Sequence, residues 1–474
     1  MSNFVFYDFE TSSSNKYWGQ IIQVGAILTN DNLEELDRYE ARCRLSPSII
    51  PEAMALIVNK SSPKMLKGAN LSHYEMVRQF VDTLKRWGKA TYIGFNSIDF
   101  DEEFLRNTLF QTLEYPYLTS TNGNKRGDLL NLARAANLYY PNTLKNSISE
   151  KGNAVYKLDK MAPLNGIEHS DAHSAIGDVI ATLGVAKIIA KKAPSVWKAS
   201  HFTTNKDETL KIIKEELYFC TNEYFYGKSR PYVQVYVCQH PKYQWPKCFD
   251  LRHDPQIYLD MSLAALKVEM GKNPKFLRTV RHNKHPIIMN PSYGNEFDEY
   301  KMLGVEKLAA RAKLIKGNTK FAEKISHILQ DEAEEKEQTK SQEDVYEEES
   351  IYTMFTSNED NKIMPEFHKA EWSKKLLVLS KIKDERLHYF GRRLIYEEKP
   401  EVLSKEEYNQ IRATIAKRLL STNNEKWNTI SRTYSEIDTL REKFEREGKP
   451  ENLTILDDIN AYVEEMEKFY NQPS

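Results

Sequence analysis

The chain has 474 residues, 40% of them hydrophobic and 28% charged, with a net charge of −1 at pH 7. That length exceeds one ordinary core and suggests three units, and the charge balance excludes a global field for capturing a polyanion, so nucleic-acid contacts must rest on local basic patches. No apolar run approaches the ~18 residues of a helical span, which argues against membrane insertion, and MSNFVFYDFET enters a strand pattern with no signal-peptide features, so a cytoplasmic location is expected.

The first ~195 residues read as alternating α and β. NFVFYDF, QIIQVGAILT and YEARCRL predict three successive strands, a meander that forms half of a mixed sheet. A helix follows from Tyr74 to Trp87, then the strand ATYIGFN and a helix beginning near Phe100. DLLNLARAANLYY and HSAIGDVIATLGVAKIIAKK predict two more helices, the second closed by lysines and by Pro194, which sets the first boundary.

From Tyr218 to Pro291 the pieces YVQVYVCQH, QIYLDMS and KHPIIMN predict short strands, followed by a helix at KLAARAKLI. The acidic run between Asp331 and Glu349 predicts a solvated linker, and the remainder is helical, including RLHYFGRRLI and ILDDINAYVEEMEKFY. The expected domains are 1–195, 196–350 with the acidic linker at its end, and 351–474. Cys43, Cys220, Cys238 and Cys248 form no CxxC pair and predict reduced thiols rather than disulfides or a zinc site.

Asp8 and Glu10 stand two apart at the end of the first strand, so both project from one face, where two carboxylates repel unless a cation lies between them. Hard oxygen donors suit magnesium or manganese. A DxE pattern alone also fits a solvated acidic strand end. Two further segments change that reading: YIGFNSIDFDEEFLRN puts a buried strand, Asn96 and an acidic cluster at a helix start, and HSDAHSAIGDV puts His173 five residues before Asp178.

Together these segments resemble the three motifs of the DEDD exonucleases in the histidine subclass. The resemblance aligns Asp101 as the third metal-site carboxylate, with Asp99 facing elsewhere. It implies a ribonuclease H-like mixed-sheet α/β domain that hydrolyses phosphodiesters with two divalent ions. Asp8 would bridge both ions, Glu10 and Asp178 would hold the one carrying the nucleophilic water, and Asp101 would help place the second. His173 would act as general base. The stretches FYDFET, EYPY, KRGDLLNLARA and NGIEHSDAHSAIGDVIAT are similar to the bacterial exonuclease I family, convincingly over residues 1 to about 195. That similarity implies 3′-to-5′ degradation of single-stranded DNA to nucleoside 5′-monophosphates in DNA repair and recombination. It also implies an SH3-like β-rich domain, a C-terminal helical domain, docking of the single-strand-binding protein tail, and a monomer.

Carried over residue by residue, the family's strand contacts fall on Glu10, Arg106, Tyr117, Arg134 and Asp171, with Lys157 where arginine is usual. Lysine keeps the charge and loses the bidentate fork. Lys228 with Arg230 and Tyr232, Arg278 with Arg281 and Lys284, and Arg386 to Arg393 with Tyr389 and Phe390 interleave cations with aromatics, as a strand groove or an ordinary surface would. Two other functions remain: a related exonuclease acting on RNA 3′ ends, or a catalytically silent nucleic-acid-binding protein. The ~280 residues beyond the nuclease domain speak against the first, and five filled catalytic positions against the second.

Overall fold

The computed structural model describes residues 3–169, 173–339 and 345–472. The first sheet contains β1 (Asn3–Thr11), β2 (Ile21–Thr29), β3 (Glu35–Arg42), β4 (Ala90–Gly94) and β5 (Lys125–Asp128), in the order β3-β2-β1-β4-β5. The three N-terminal strands form the expected antiparallel meander, and β4 and β5 add in parallel to β1.

β1 is central, and its alternation feeds two cores. Phe4 and Phe6 pack on one face with Val179 and Leu183 of the helix Ala175–Lys192. Val5, Tyr7 and Phe9 pack on the other with Val77 and Phe80 of the helix His73–Trp87. The period of two therefore turns Asp8 and Glu10 toward the helix that carries Asp178. Closeness there depends on Gly25, which pairs with Asp8 across β2. A Cβ at Gly25 would lie 2.5 Å from backbone atoms of Ala175 and Ile176, so only glycine lets the start of that helix close on the sheet.

A second sheet of five strands runs Leu277–Thr279, Pro246–Asp250, Lys228–Gln239, Phe219–Phe225, Ile288–Met289, with every neighbour pair antiparallel. QIYLDMS does not form the predicted strand: Gln256–Leu259 is a helical turn. Pro255 fixes the entering backbone, and the Asp254 side chain accepts from the Gln256 N–H, so local turn chemistry outweighs the apolar run. The segment after this sheet inserts His285 beneath β5. Its Nδ1 accepts from the Asp128 N–H at 2.9 Å and its Nε2 donates to the Ser200 carbonyl at 3.0 Å, and burial pushes its pKa down to about 4.

The acidic run requires a correction. The helix Thr319–Gln338 continues through its first half, because Phe321, Ile325, Ile328, Leu329 and Ala333 hold a buried face while the glutamates stay in solvent. Farther along, Glu348 is buried, bonded to Arg393 at 3.1 Å, Arg418 at 2.6 Å and the Tyr389 hydroxyl at 2.8 Å. Burial alone would raise its pKa; Arg418 and Arg393 outweigh it and hold the carboxyl below its usual range. Glu348→Ala would strand two guanidinium groups in the interior and is expected to destabilise the fold by ~3–5 kcal/mol, measured as a lowered denaturation midpoint.

The C-terminal unit is helical, as predicted, and includes Glu385–Glu398, Lys405–Leu419, Ile430–Glu447 and Pro450–Asn471. It shares a core with the nuclease unit through Ile22, Ile50, Leu56 and Phe110, and Glu436 accepts the first N–H groups of the helix Ala53–Val58. Among the described residues no helix is long and apolar enough to cross a membrane.

Candidate active site

Four carboxylates predicted from the sequence converge at the end of β1. Carboxylate oxygens of Asp8, Glu10 and Asp178 all lie within 4.8 Å of one another. Asp101, at the first position of the helix Asp101–Gln111, is turned to the same place by the Phe9 N–H, which donates to its Oδ1 at 3.1 Å.

The loop that delivers Asp101 is built by Asp128. Its carboxylate accepts the N–H groups of Asn96 and Ile98 at 3.1 Å each, and Asn96 takes the left-handed conformation (φ 64°) that asparagine tolerates. Asp99 faces away from the cluster, paired with Lys284 at 2.9 Å, as expected.

So many buried acids cannot all ionise cheaply. Burial, then the charges of Asp101, Asp178 and Glu10, push the Asp8 carboxyl far above the usual range. Burial and the neighbouring Asp178 and Asp101 raise Glu10 to about 9; burial chiefly raises Asp101 to about 8. The donors are hard oxygens, the like charges are close, and among the described residues no lysine or arginine is hydrogen-bonded to these four carboxylates. Such a set fits divalent magnesium or manganese.

His173 lies beside Asp178 with a left-handed backbone (φ 68°), its N–H directed at Asp178 Oδ1 at 3.4 Å. The imidazole that touches this carboxylate belongs to His169: Nε2 to Asp178 Oδ1 is 2.5 Å, and the His169 side chain is almost fully buried. Sequence reasoning passed over His169, although it stands in the same NGIEHSDAHSAIGDV segment. By gripping one oxygen of Asp178, the His169 ring fixes the direction in which that carboxylate points, as the hydrogen-bond partners of metal-binding carboxylates do.

The expected strand contacts separate into two cavities that share the 281–286 segment as a wall. Arg106 and Tyr117 line a cavity of about 650 Å³, with the guanidinium 5.2 Å from the ring centroid. Arg134 lines another of about 770 Å³ beside Arg278, Arg281 and Lys284, its guanidinium 4.0 Å over the Tyr224 ring. Lys157 is exposed at the start of the helix Leu158–Leu164, and Asp171 lies outside the described residues. Phe355 of the YTMF segment was not foreseen; it is 79% exposed and sits 5.9 Å from the Tyr117 ring.

The basic clusters of the outer units resolve unequally. Arg386 to Arg393 is no strand groove: Phe390 is buried, Arg386 pairs with Asp384, and Arg393 reaches Glu348 and Gln111. Those arginines seam the helical unit to the nuclease unit. In the Lys228 cluster Tyr232 is buried and Arg230 caps the Phe225 carbonyl. Arg278 is stacked 3.6 Å over Tyr232 and paired with Glu223, while Arg281 faces Trp245.

The first unit thus gathers four carboxylates at the end of the central strand of a mixed α/β sheet, the arrangement expected from the sequence. Residues 5–186 match the family model described as "Exonuclease", and residues 343–466 match the one described as "Exonuclease I C-terminal domain". Both matches are to domains of exonucleases, so the chain is similar to exonuclease I at its N-terminal and its C-terminal ends. It is 30% identical over 213 residues to exodeoxyribonuclease I of Buchnera aphidicola subsp. Acyrthosiphon pisum, covering 44% of this chain and 51% of that one. With the Escherichia coli K12 exodeoxyribonuclease I it is 27% identical over 216 residues, 45% of each. The matched segment therefore spans about half the length of these curated relatives. In fold the likeness is longer: exonuclease I of Methylocaldum szegediense superposes with a TM-score of 0.82 at 19% identity, covering 98% of this chain and 100% of the other. E. coli exonuclease I in complex with a dA16 oligonucleotide gives 0.81 at 18%, with the same coverage.

Proposed function

We propose that the protein is a 3′-to-5′ exonuclease that hydrolyses single-stranded DNA to nucleoside 5′-monophosphates. The observation that carries this reading is the cluster of Asp8, Glu10 and Asp178 oxygens within 4.8 Å, completed by Asp101. Asp8, Glu10, Asp101 and Asp178 would hold two divalent ions, magnesium with manganese as the alternative. Bound there, the ions supply a water activated for attack on phosphorus and stabilisation of the departing oxygen.

The chain's own residues do the rest. His173 takes the proton of the attacking water, and the N–H of Phe9 together with the His169 ring keep Asp101 and Asp178 turned inward. Arg106 and Arg134 pair with strand phosphates, Tyr117 stacks on a base, and Glu10, Lys157 and Asp171 complete the contacts carried over from the family. The substrate is supported by the oligonucleotide complexes of the E. coli relative, whose fold this chain shares.

With the same reading come a cytoplasmic monomer acting in DNA repair and recombination, and a partner in the acidic tail of single-strand-binding protein. The test is digestion of matched single-stranded DNA, duplex DNA and short RNA under magnesium. Single-stranded DNA should be degraded fastest; preference for short RNA would overturn the substrate.

A further inference from the structure

Three consecutive acids, Asp101, Glu102 and Glu103, open the helix beside the cluster, and the structure gives them three different tasks. Asp101 belongs to the metal site. Glu103 accepts from Lys16 at 3.0 Å and from the Tyr352 hydroxyl at 2.9 Å, which ties the loop after β1 and the C-terminal unit to this helix. Glu102 is fully buried and takes no part in either arrangement.

Its carboxylate instead gathers donors from four segments. Oε2 accepts from the hydroxyl of Tyr7, the residue before Asp8, at 3.2 Å. Oε1 accepts from Thr119 at 2.6 Å and Arg126 at 3.3 Å, and it forms an ion pair with Arg106 at 3.2 Å. Arg106 stands four residues along the same helix, so its guanidinium folds back over one turn onto Glu102. Its side chain is 11% exposed, Glu103 is farther from it at 3.9 Å, and Tyr117 flanks it at the wall of the 650 Å³ cavity.

We infer that Glu102 is a positioning residue: it presets the Arg106 guanidinium at the cavity wall for a phosphate of the bound strand. An unheld arginine carries large rotamer freedom, which strand binding would have to remove; an arginine already clamped against a buried carboxylate does not. Arg126, tied also to the Asn283 carbonyl, braces Glu102 from the β5 side. This role rests on the proposed single-strand substrate. The same geometry contains an opposite possibility, that Glu102 competes with phosphate for Arg106, and the two predict opposite signs.

The experiment is a double-mutant cycle on the full chain with an end-labelled single-stranded oligonucleotide, reading KM and kcat in magnesium and Kd in calcium. Arg106→Ala should raise KM and Kd about tenfold or more. Glu102→Gln should raise KM and Kd by roughly tenfold with kcat within about threefold, and should add nothing in the Arg106→Ala background. Glu102→Asp, which retracts the carboxylate, should give a smaller loss that also vanishes without Arg106; it carries the test if Glu102→Gln does not fold. Effects that add in full, tighter binding by Glu102→Gln, or a fall in kcat at constant KM would overturn the inference. Arg106→Ala binding like the wild type would remove the strand contact itself, and the role of Glu102 with it. A loss in Arg106→Ala with none in either Glu102 variant would overturn the positioning role alone.

Discussion

Replacing Asp8 by alanine is expected to lower kcat for phosphodiester hydrolysis by ~10⁴-fold or more, while the single strand still binds in calcium. Asp8 stands at the centre of the cluster, with Glu10, Asp101 and Asp178 all raising its pKa after burial itself. Removing it would take away a proposed metal ligand and also one source of buried repulsion. The metal-free variant should therefore denature no earlier than the metal-free wild type, which separates lost chemistry from lost folding. Activity retained at a tenth of the wild-type rate or more would refute the ligand assignment.

The second large effect links metal, pH and stability. Glu10 and Asp101 are raised to about 9 and about 8, against ordinary carboxyl values near ~4. In the metal-free protein between those limits, the folded state keeps protons that the unfolded state has released. A raised carboxyl contributes stability that is fully present below the unfolded pKa and is lost as pH rises through the folded one, by up to ~1.4 kcal/mol per pH unit for each group. A divalent cation held by these carboxylates would replace those protons.

The gap between metal-loaded and metal-free denaturation midpoints should widen from about pH 5 to about pH 9. Histidines lowered by burial, such as His285, act equally in both forms and cancel in the difference. Magnesium binding at pH 7 should release protons, seen as a binding heat that varies with the ionisation enthalpy of the buffer. A gap that stays constant with pH, with no proton release, would contradict the electrostatic account.

Much of the site was legible because it follows from periodicity. Alternation along β1 fixes Asp8 and Glu10 to one face, and the helix that begins at Ala175 supplies Asp178 to that face. What escaped were choices among chemically equal neighbours. Nothing in DEE says which acid joins the carboxylate cluster, which meets Arg106 and which meets Lys16; the resemblance pointed to Asp101, and Glu102 emerged only from its partners in space. His169 was passed over for the same reason, since its contact with Asp178 depends on how the chain between them turns.

The Arg386 to Arg393 cluster fitted a strand groove and an ordinary surface alike in sequence. Composition cannot tell a cation facing solvent from one facing a buried glutamate, and Glu348 lay hidden in a run that read as linker. Gln256–Leu259 shows the limit of short apolar runs: an Asp-Pro start decided for a helical turn. The carboxylate pair at the end of β1 withstood each of these corrections, because strand geometry and helix docking specify it independently.

The central claim is tested most directly by digesting one single-stranded oligonucleotide labelled at either its 5′ or its 3′ end, with magnesium and with chelator. With magnesium the 3′ label should leave at once as a mononucleotide, while the 5′-labelled strand shortens through a ladder; with chelator both should stay intact. Internal cuts, early loss of the 5′ label, or cleavage that survives chelation would contradict a metal-dependent 3′-to-5′ exonuclease.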